Sequence, residues 1–511
     1  MSDWTYGYVA DIGYTYGYYN ELNPARANLA FLNAGYAPPS SGVHCELGYG
    51  QGLSVNVHAA ASGSTWFATD FNPSQATFAQ HLVSASGADA HLTDEAFADF
   101  CNRADLPNFD SIGLHGIWSW ISAENRAVIV DFIRRKLKVG GALYISYNTL
   151  PGWASFAPMR HLMTEHASVM GTVGKGVVNR VDGALNFAQK LLDTTPLFAR
   201  ANPSVSERLG QVTKQNRHYL AHEYFNKDWH PMYFANISNF LESSKVSYVC
   251  SAHYLDHVDA LNLTTEHKSL LEELENPMFK ESVRDYMVNQ QFRRDYWIKG
   301  PRKLSTSERL KRIEDHQVIL ISPRNTVSLK ATGSLGDASL NEEIYNPILD
   351  FLSNHEVHTV GQIFKSVEKH ASFAQVLQAI LVLSGNGAIS SVFASEPSQD
   401  AKTSTNRLNL KLMEIARTSP DIGHLASPIT GGGISVNRFN QLFLLAKHQG
   451  KTTTDSWAEF VWNVLKDQGI RLVKNEKTLE LESENVSELK LLAKEFSEIR
   501  LPILQKLGIE I

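Results

Sequence analysis

Val43-His44-Cys45-Glu46-Leu47-Gly48-Tyr49-Gly50-Gln51-Gly52-Leu53 is the stretch that decides how this chain folds. Val43 to Leu47 is a short, mostly apolar run that reads as a strand. Alternate glycines follow it, and Leu53 to Ala61 takes up helical spacing. Glycine turns the chain without a Cβ clash and lets a ligand come close to the backbone. Working outward, Thr65 to Thr69 is a second strand that ends at Asp70. Asn72-Pro73-Ser74 opens a helix, because Asn caps well and Pro suits a first turn. Phe109 to Leu114 is another strand, and Ala123 to Leu137 is an amphipathic helix stopped by Gly140-Gly141. Ala142 to Tyr147 is a further strand. Strands alternating with helices predict an α/β, Rossmann-like domain with a mostly parallel sheet. The glycine loop then lies outside the carboxyl ends of the strands, where such sheets bind ligands.

The spacing narrows the ligand. The loop is GxGxG and position 53 is Leu, so the third glycine of a nicotinamide-dinucleotide loop is missing. No Gly-Lys-Ser/Thr end follows, so it is not a phosphate loop of the P-loop type. Asp70 stands 22 residues after Gly48, where an acid can accept both hydroxyls of a ribose. Leu137-Lys138-Val139-Gly140-Gly141-Ala142-Leu143 sits between a helix and a late strand.

The acidic glycine loop together with this LKxGG element resembles the class I S-adenosylmethionine-dependent methyltransferases. The resemblance implies S-adenosyl-L-methionine as cofactor. Glu46, Gly48, Gly50 and Gly52 match the loop under its methionine and ribose portions, Asp70 the ribose acid, and Phe71 the neighbour of adenine. Asp94, with Glu95 beside it, matches the acid near the adenine amino group. His115 and Gly116 follow the fourth strand, where cofactor and acceptor meet. More specific segments are similar to one methyltransferase group. Gly113 to Trp120 is close to its "HGVYSWV", and Ser146 to Trp153 reads SYNTLPGW as that group does. His222-Glu223-Tyr224 with His230 to Phe234, and Gln291 to Arg294, look like its regulatory domain. The architecture resembles bacterial protein-lysine methyltransferases of outer-membrane proteins. That implies a lysine-bearing protein substrate and a homodimer.

Seven aromatic residues occur within the first nineteen, among them Tyr14, Tyr16, Tyr18 and Tyr19. Aromatic rings hold methylammonium groups by cation–π contact. Tyr16 or Tyr18, with His115 and Asn148, is therefore expected to border the acceptor as the catalytic set. His218 and His222 share a helix face in a plausible ligand spacing, but Glu223 follows the pair instead of lying between them, and no metal is expected.

The chain of 511 residues is expected to divide into a cofactor domain (1–165), a helical regulatory domain (166–321), a winged-helix-like domain (322–400) and a mostly helical C-terminal domain (401–511). Residues 181–193, 205–225 and 266–291 read as helices, 322–340 and 396–407 as linkers, and 478–482 as strand-like. The basic run 293–312 reads as a solvated helix face. Residues 341–395 carry five acids against two lysines, which argues for protein contact over phosphate contact. A net charge of -6 fits no bulk nucleic-acid binder. Three scattered cysteines suit a reducing compartment. With no secretory leader pattern and no apolar run near the ~20 residues of a membrane span, a cytoplasmic protein is expected. A small-molecule or saccharide methyltransferase, and a non-catalytic S-adenosylmethionine-binding regulator, are the alternatives.

Overall fold

The computed structural model describes residues 15–171 and 176–510. Strands β1 (Val43–Leu47), β2 (Thr65–Thr69), β3 (Ala90–Thr93), β4 (Phe109–Leu114), β5 (Leu137–Asn148), β6 (Val246–Ser251) and β7 (Phe292–Lys299) form one sheet, in the order β3-β2-β1-β4-β5-β7-β6. The first five run parallel, and β7 runs antiparallel to both of its neighbours. The order reverses between β1 and β4, so the crevice at their carboxyl ends is the ligand position of the fold. Gly140-Gly141 does not precede the fifth strand but lies inside it. The register against β4 slips there, and a Cβ on Gly141 would meet Lys138 O at 2.9 Å.

The expected helical regulatory stretch contributes the last two strands of this sheet. Helices from Leu150–Trp153 to Phe234–Leu241 separate β5 from β6, and Thr265–Glu272 and Pro277–Met287 stand between β6 and β7. Asn276 caps the latter helix, which is why the stretch 266–291 is broken in two.

The basic run is not a solvated helix face over its whole length. Its start is strand β7, and Arg293 is buried among acids. Arg293 Nη1 donates to Asp285 Oδ1 (2.6 Å), Nη2 to Glu281 Oε2 (2.8 Å), and Nε to both oxygens of Asp295. The Tyr147 hydroxyl donates to Asp295 Oδ2 at 2.7 Å, which ties β5 to β7. A buried charge survives when it is paired and hydrogen-bonded this fully.

Neither expected linker is one. Residues 322–340 contain the hairpin Lys330–Gly333/Gly336–Ser339. Helix Gln399–Ala416 covers most of 396–407 and lies on helices Leu53–Ser62 and Pro73–Ser86. The Ser404 and Thr405 hydroxyls donate to Ala60 O. Helix Leu53–Ser62 is therefore buried on every side from Leu53 to Ala61, as its lack of a charged face requires. Residues 341–395 form helices Glu342–Phe351, Val360–Val367 and Phe373–Gly385. Strands His358–Thr359, Gln317–Leu320 and Ile389–Ser391 join them as an antiparallel sheet. Of 478–482 only Thr478 is in a strand, in a hairpin of two residues a side. Among the described residues no helix is long and apolar enough to cross a membrane.

Arg293→Met would leave three neighbouring carboxyls without their counter-ion. We expect a loss of about 3–5 kcal/mol in urea unfolding; a loss below about 1 kcal/mol would show that the pairing contributes little.

Candidate functional site

The loop between β1 and helix Leu53–Ser62 forms a cradle because three of its glycines take positive φ: Gly48 at 74°, Gly50 at 58° and Gly52 at 71°. A Cβ on Gly48 would come within 2.3 Å of Ile117 Cδ1, and one on Gly52 within 2.5 Å of Ala79 Cβ. Gly48 N–H donates to Thr69 O at 2.8 Å, and the Tyr49 hydroxyl to Thr93 O at 2.7 Å, so the loop is fastened across the ends of β2 and β3.

Two carboxyls stand at this cradle. Glu46 is 1% exposed and its Oε2 has no hydrogen-bond partner. Burial, with the neighbouring Asp70, holds its carboxyl up to about 8. Asp70 Oδ2 accepts from Gly50 N–H (2.9 Å) and Oδ1 from Asn72 N–H (3.0 Å), but burial still pushes it up to about 6. A pair of buried acids with an unmet oxygen is suited to a ligand that brings hydrogen-bond donors and positive charge.

Asp94 lies exposed beyond β3, close enough for its charge to raise Tyr49. Glu95, next in the chain, is half-buried. It pairs with Arg103 at 3.0 Å, and Arg103 in turn grips Asp105. Phe71 follows Asp70 and is half-buried. Gly116 turns at φ 66° and its N–H donates to Ser146 Oγ at 2.7 Å.

The expected catalytic set is only partly gathered. His115 stands beyond β4 with Nδ1 2.8 Å from the Tyr144 hydroxyl, and burial lowers its pKa to about 4. The ring stacked on it is Tyr19, with centroids 3.6 Å apart, and neither Tyr16 nor Tyr18 takes that place. Tyr16 packs edge-on against Phe78. Tyr18 lies between His58 and His424 over Gly432-Gly433 of the hairpin His424–Ser427/Gly432–Ser435. Asn148 ends β5; its backbone N–H donates to Ser119 Oγ and its Oδ1 accepts from Trp153 Nε1. Tyr14 lies outside the described residues.

The sequence did not mark Glu21, gave Tyr19 only as one of seven early aromatics, and gave Glu223 only beside the His218/His222 spacing and in the regulatory segment. Burial and the charges of Glu46, Glu223 and Glu21 raise the Tyr19 phenol, which places these groups around one ring. Burial opposes ionisation of Glu21, but Arg26, Arg294 and His115 bring its pKa down to about 2. Arg294 Nη1 donates to Glu21 Oε1 at 2.7 Å. Among the described residues no cluster of three His, Cys, Asp or Glu side chains could hold a metal.

Residues 216–299 match the family described as a predicted methyltransferase regulatory domain. The uncharacterized protein sll1526 of Synechocystis is 39% identical over 99% of both chains. The uncharacterized protein RP789 of Rickettsia prowazekii is 27% identical over 38% of this chain and 35% of its own. Among solved structures, PKMT2 from Rickettsia typhi in complex with AdoHcy superposes with a TM-score of 0.70 at 17% identity, covering 97% of this chain and 100% of that one.

Raised carboxyl pKa values have a sign. The folded, ligand-free state favours neutral Glu46 and Asp70, so their contribution to stability is complete below about 4 and is lost as pH climbs through about 6 and about 8. Glu46→Gln should therefore leave the melting temperature unchanged at pH 5. At pH 8.5 it should stabilise the ligand-free protein by on the order of 2 kcal/mol. Equal stability of variant and parent at both values would refute the buried-acid assignment. Gly48→Val, which sets a branched side chain against Ile117 at positive φ, should weaken adenosylhomocysteine binding at least about tenfold in calorimetry. Glu95→Gln should change it less than about twofold.

Proposed function

The chain belongs to one family with the Synechocystis protein, and from that premise and its class I methyltransferase fold we propose that it transfers a methyl group from S-adenosylmethionine to the side chain of a protein lysine. The observation that carries the cofactor reading is the orphaned oxygen of Glu46 beside Asp70, over a cradle that side chains would fill. Glu46, Gly48, Gly50 and Gly52 would hold the methionine and ribose portions, Asp70 the ribose hydroxyls, and Phe71 and Asp94 the adenine. The cofactor supplies an activated methyl group on a positively charged sulfur.

What remains for this chain is largely positioning and the exclusion of water. The stacked pair Tyr19–His115 forms an aromatic wall, and Glu21 and Glu223 add negative charge nearby. An aromatic and acidic surround favours a cationic acceptor over a neutral hydroxyl. A lysine must lose its proton before it attacks. His115 at about 4 and Glu21 at about 2 are too weak as bases to take it near neutral pH. Desolvation of the ammonium and repulsion by the sulfonium lower the lysine pKa instead. The reaction is therefore limited on its acid side by the acceptor itself.

Methyl-labelled S-adenosylmethionine with a lysate of the source organism tests this reading. We expect label in protein, mapped by mass spectrometry to lysine. Label confined to metabolites would replace the acceptor, and cofactor binding without label in either fraction would refute turnover. The turnover rate should rise with pH above 7, and His115→Phe should keep that rising limb. Loss of the limb in this variant would show that His115 is the base.

A further inference from the structure

A polar cavity of about 180 Å³ lies away from the glycine loop, between β6, β7 and helix Pro277–Met287, with Asn262 and Ser334 also in its lining. Its cationic side chains direct donors at protein acceptors. Arg293 holds Asp295, Asp285 and Glu281. Arg284 donates to Asp259 Oδ1 and Asp256 O, and Arg294 to Glu21. One acceptor in the wall is unmet. Asp285 is 3% exposed, its Oδ1 accepts from Arg293, and its Oδ2 has no partner. Burial holds this carboxyl up to about 7 in spite of Arg293. The carboxyls of the wall (Asp256, Glu281, Asp285, Asp295) outnumber its three arginines. The unspent capacity is thus a carboxyl oxygen whose ionised form a bound cation would favour.

We infer that this cavity is a second binding site, for a small organic cation whose protonated amine donates to Asp285. Its volume of about 180 Å³ suits a small amine. The occupant would sit behind the strand end at the methyl-transfer site. Gln290 lines the cavity, and its carbonyl accepts from the Thr149 hydroxyl and from Gly152 N–H, on the stretch that leaves β5. The site stands independently of the identity of the methyl acceptor.

Calorimetric titration of the full-length protein with ethylammonium at pH 7.5, and with acetate as the control, tests it. We expect saturable binding of ethylammonium and none of acetate. Binding should weaken at least about tenfold in Asp285→Asn. It should also be blocked in Val288→Phe, which sets an aromatic ring in the cavity and keeps the carboxyl. Adenosylhomocysteine affinity should be the same in the parent and both variants, which shows that they are folded. If Asp285→Asn does not fold, Val288→Phe alone decides. Absence of saturable binding to the parent protein would overturn the proposal in favour of a water-filled cavity, and so would equal binding to the parent and the folded variants.

Discussion

The structure turns on two carboxyls kept out of water side by side. Glu46 is the penultimate residue of β1 and Asp70 follows β2, adjacent strands of a parallel sheet, so the fold itself brings them together. Holding both ionised out of water is unfavourable, and burial raises both carboxyls accordingly. The surrounding construction serves to keep this pair in place. Gly50 N–H and Asn72 N–H fix Asp70, and the Tyr49 hydroxyl anchors the loop to β3. Helix Leu53–Ser62, which the loop enters, is clamped from behind by helix Gln399–Ala416. A residue some 350 positions downstream in sequence therefore helps to set the loop (Thr405 on Ala60 is separated by 345).

The regulatory segment is equally bound into the catalytic frame. It completes the sheet with β6 and β7, and the Tyr147–Asp295–Arg293 chain of hydrogen bonds joins the end of β5 to it. Asn148, Thr149 and Trp153 therefore stand on a strand end held from both sides. Tyr19, His115 after β4 and Glu223 of the matched segment 216–299 come together around one ring.

How much of this was legible in the sequence follows from how local each signal is. The loop Glu46 to Gly52, Asp70 and the Asn72 cap are read within a few residues of themselves, and the first sheet strands with them. Strand β7 was hidden because Phe292-Arg293-Arg294-Asp295-Tyr296-Trp297 mixes charges with apolar residues. Those charges are accommodated because Asp285 and Glu281 of the preceding helix meet Arg293, and Glu21, far away in sequence, meets Arg294. Helix Gln399–Ala416 begins in a polar run that reads as a linker, and its burial depends on a helix far away in sequence. Tyr19 was missed in favour of Tyr16 and Tyr18 because an irregular aromatic segment has no period from which to read direction. Only the stacking on His115 separates the three.

The most direct measurement of the central claim is the proton balance of cofactor binding. Adenosylhomocysteine should be titrated calorimetrically at pH 7 in two buffers of different ionisation enthalpy. If the donor groups of this ligand, its ribose hydroxyls and its ammonium, settle on Glu46 and Asp70, they draw both carboxyls to the ionised form. Binding should then release protons, and the affinity should rise from pH 6 to pH 8. Binding with no proton release and an affinity flat across that range would mean that the buried acids do not receive the ligand, and the account of the site would fail.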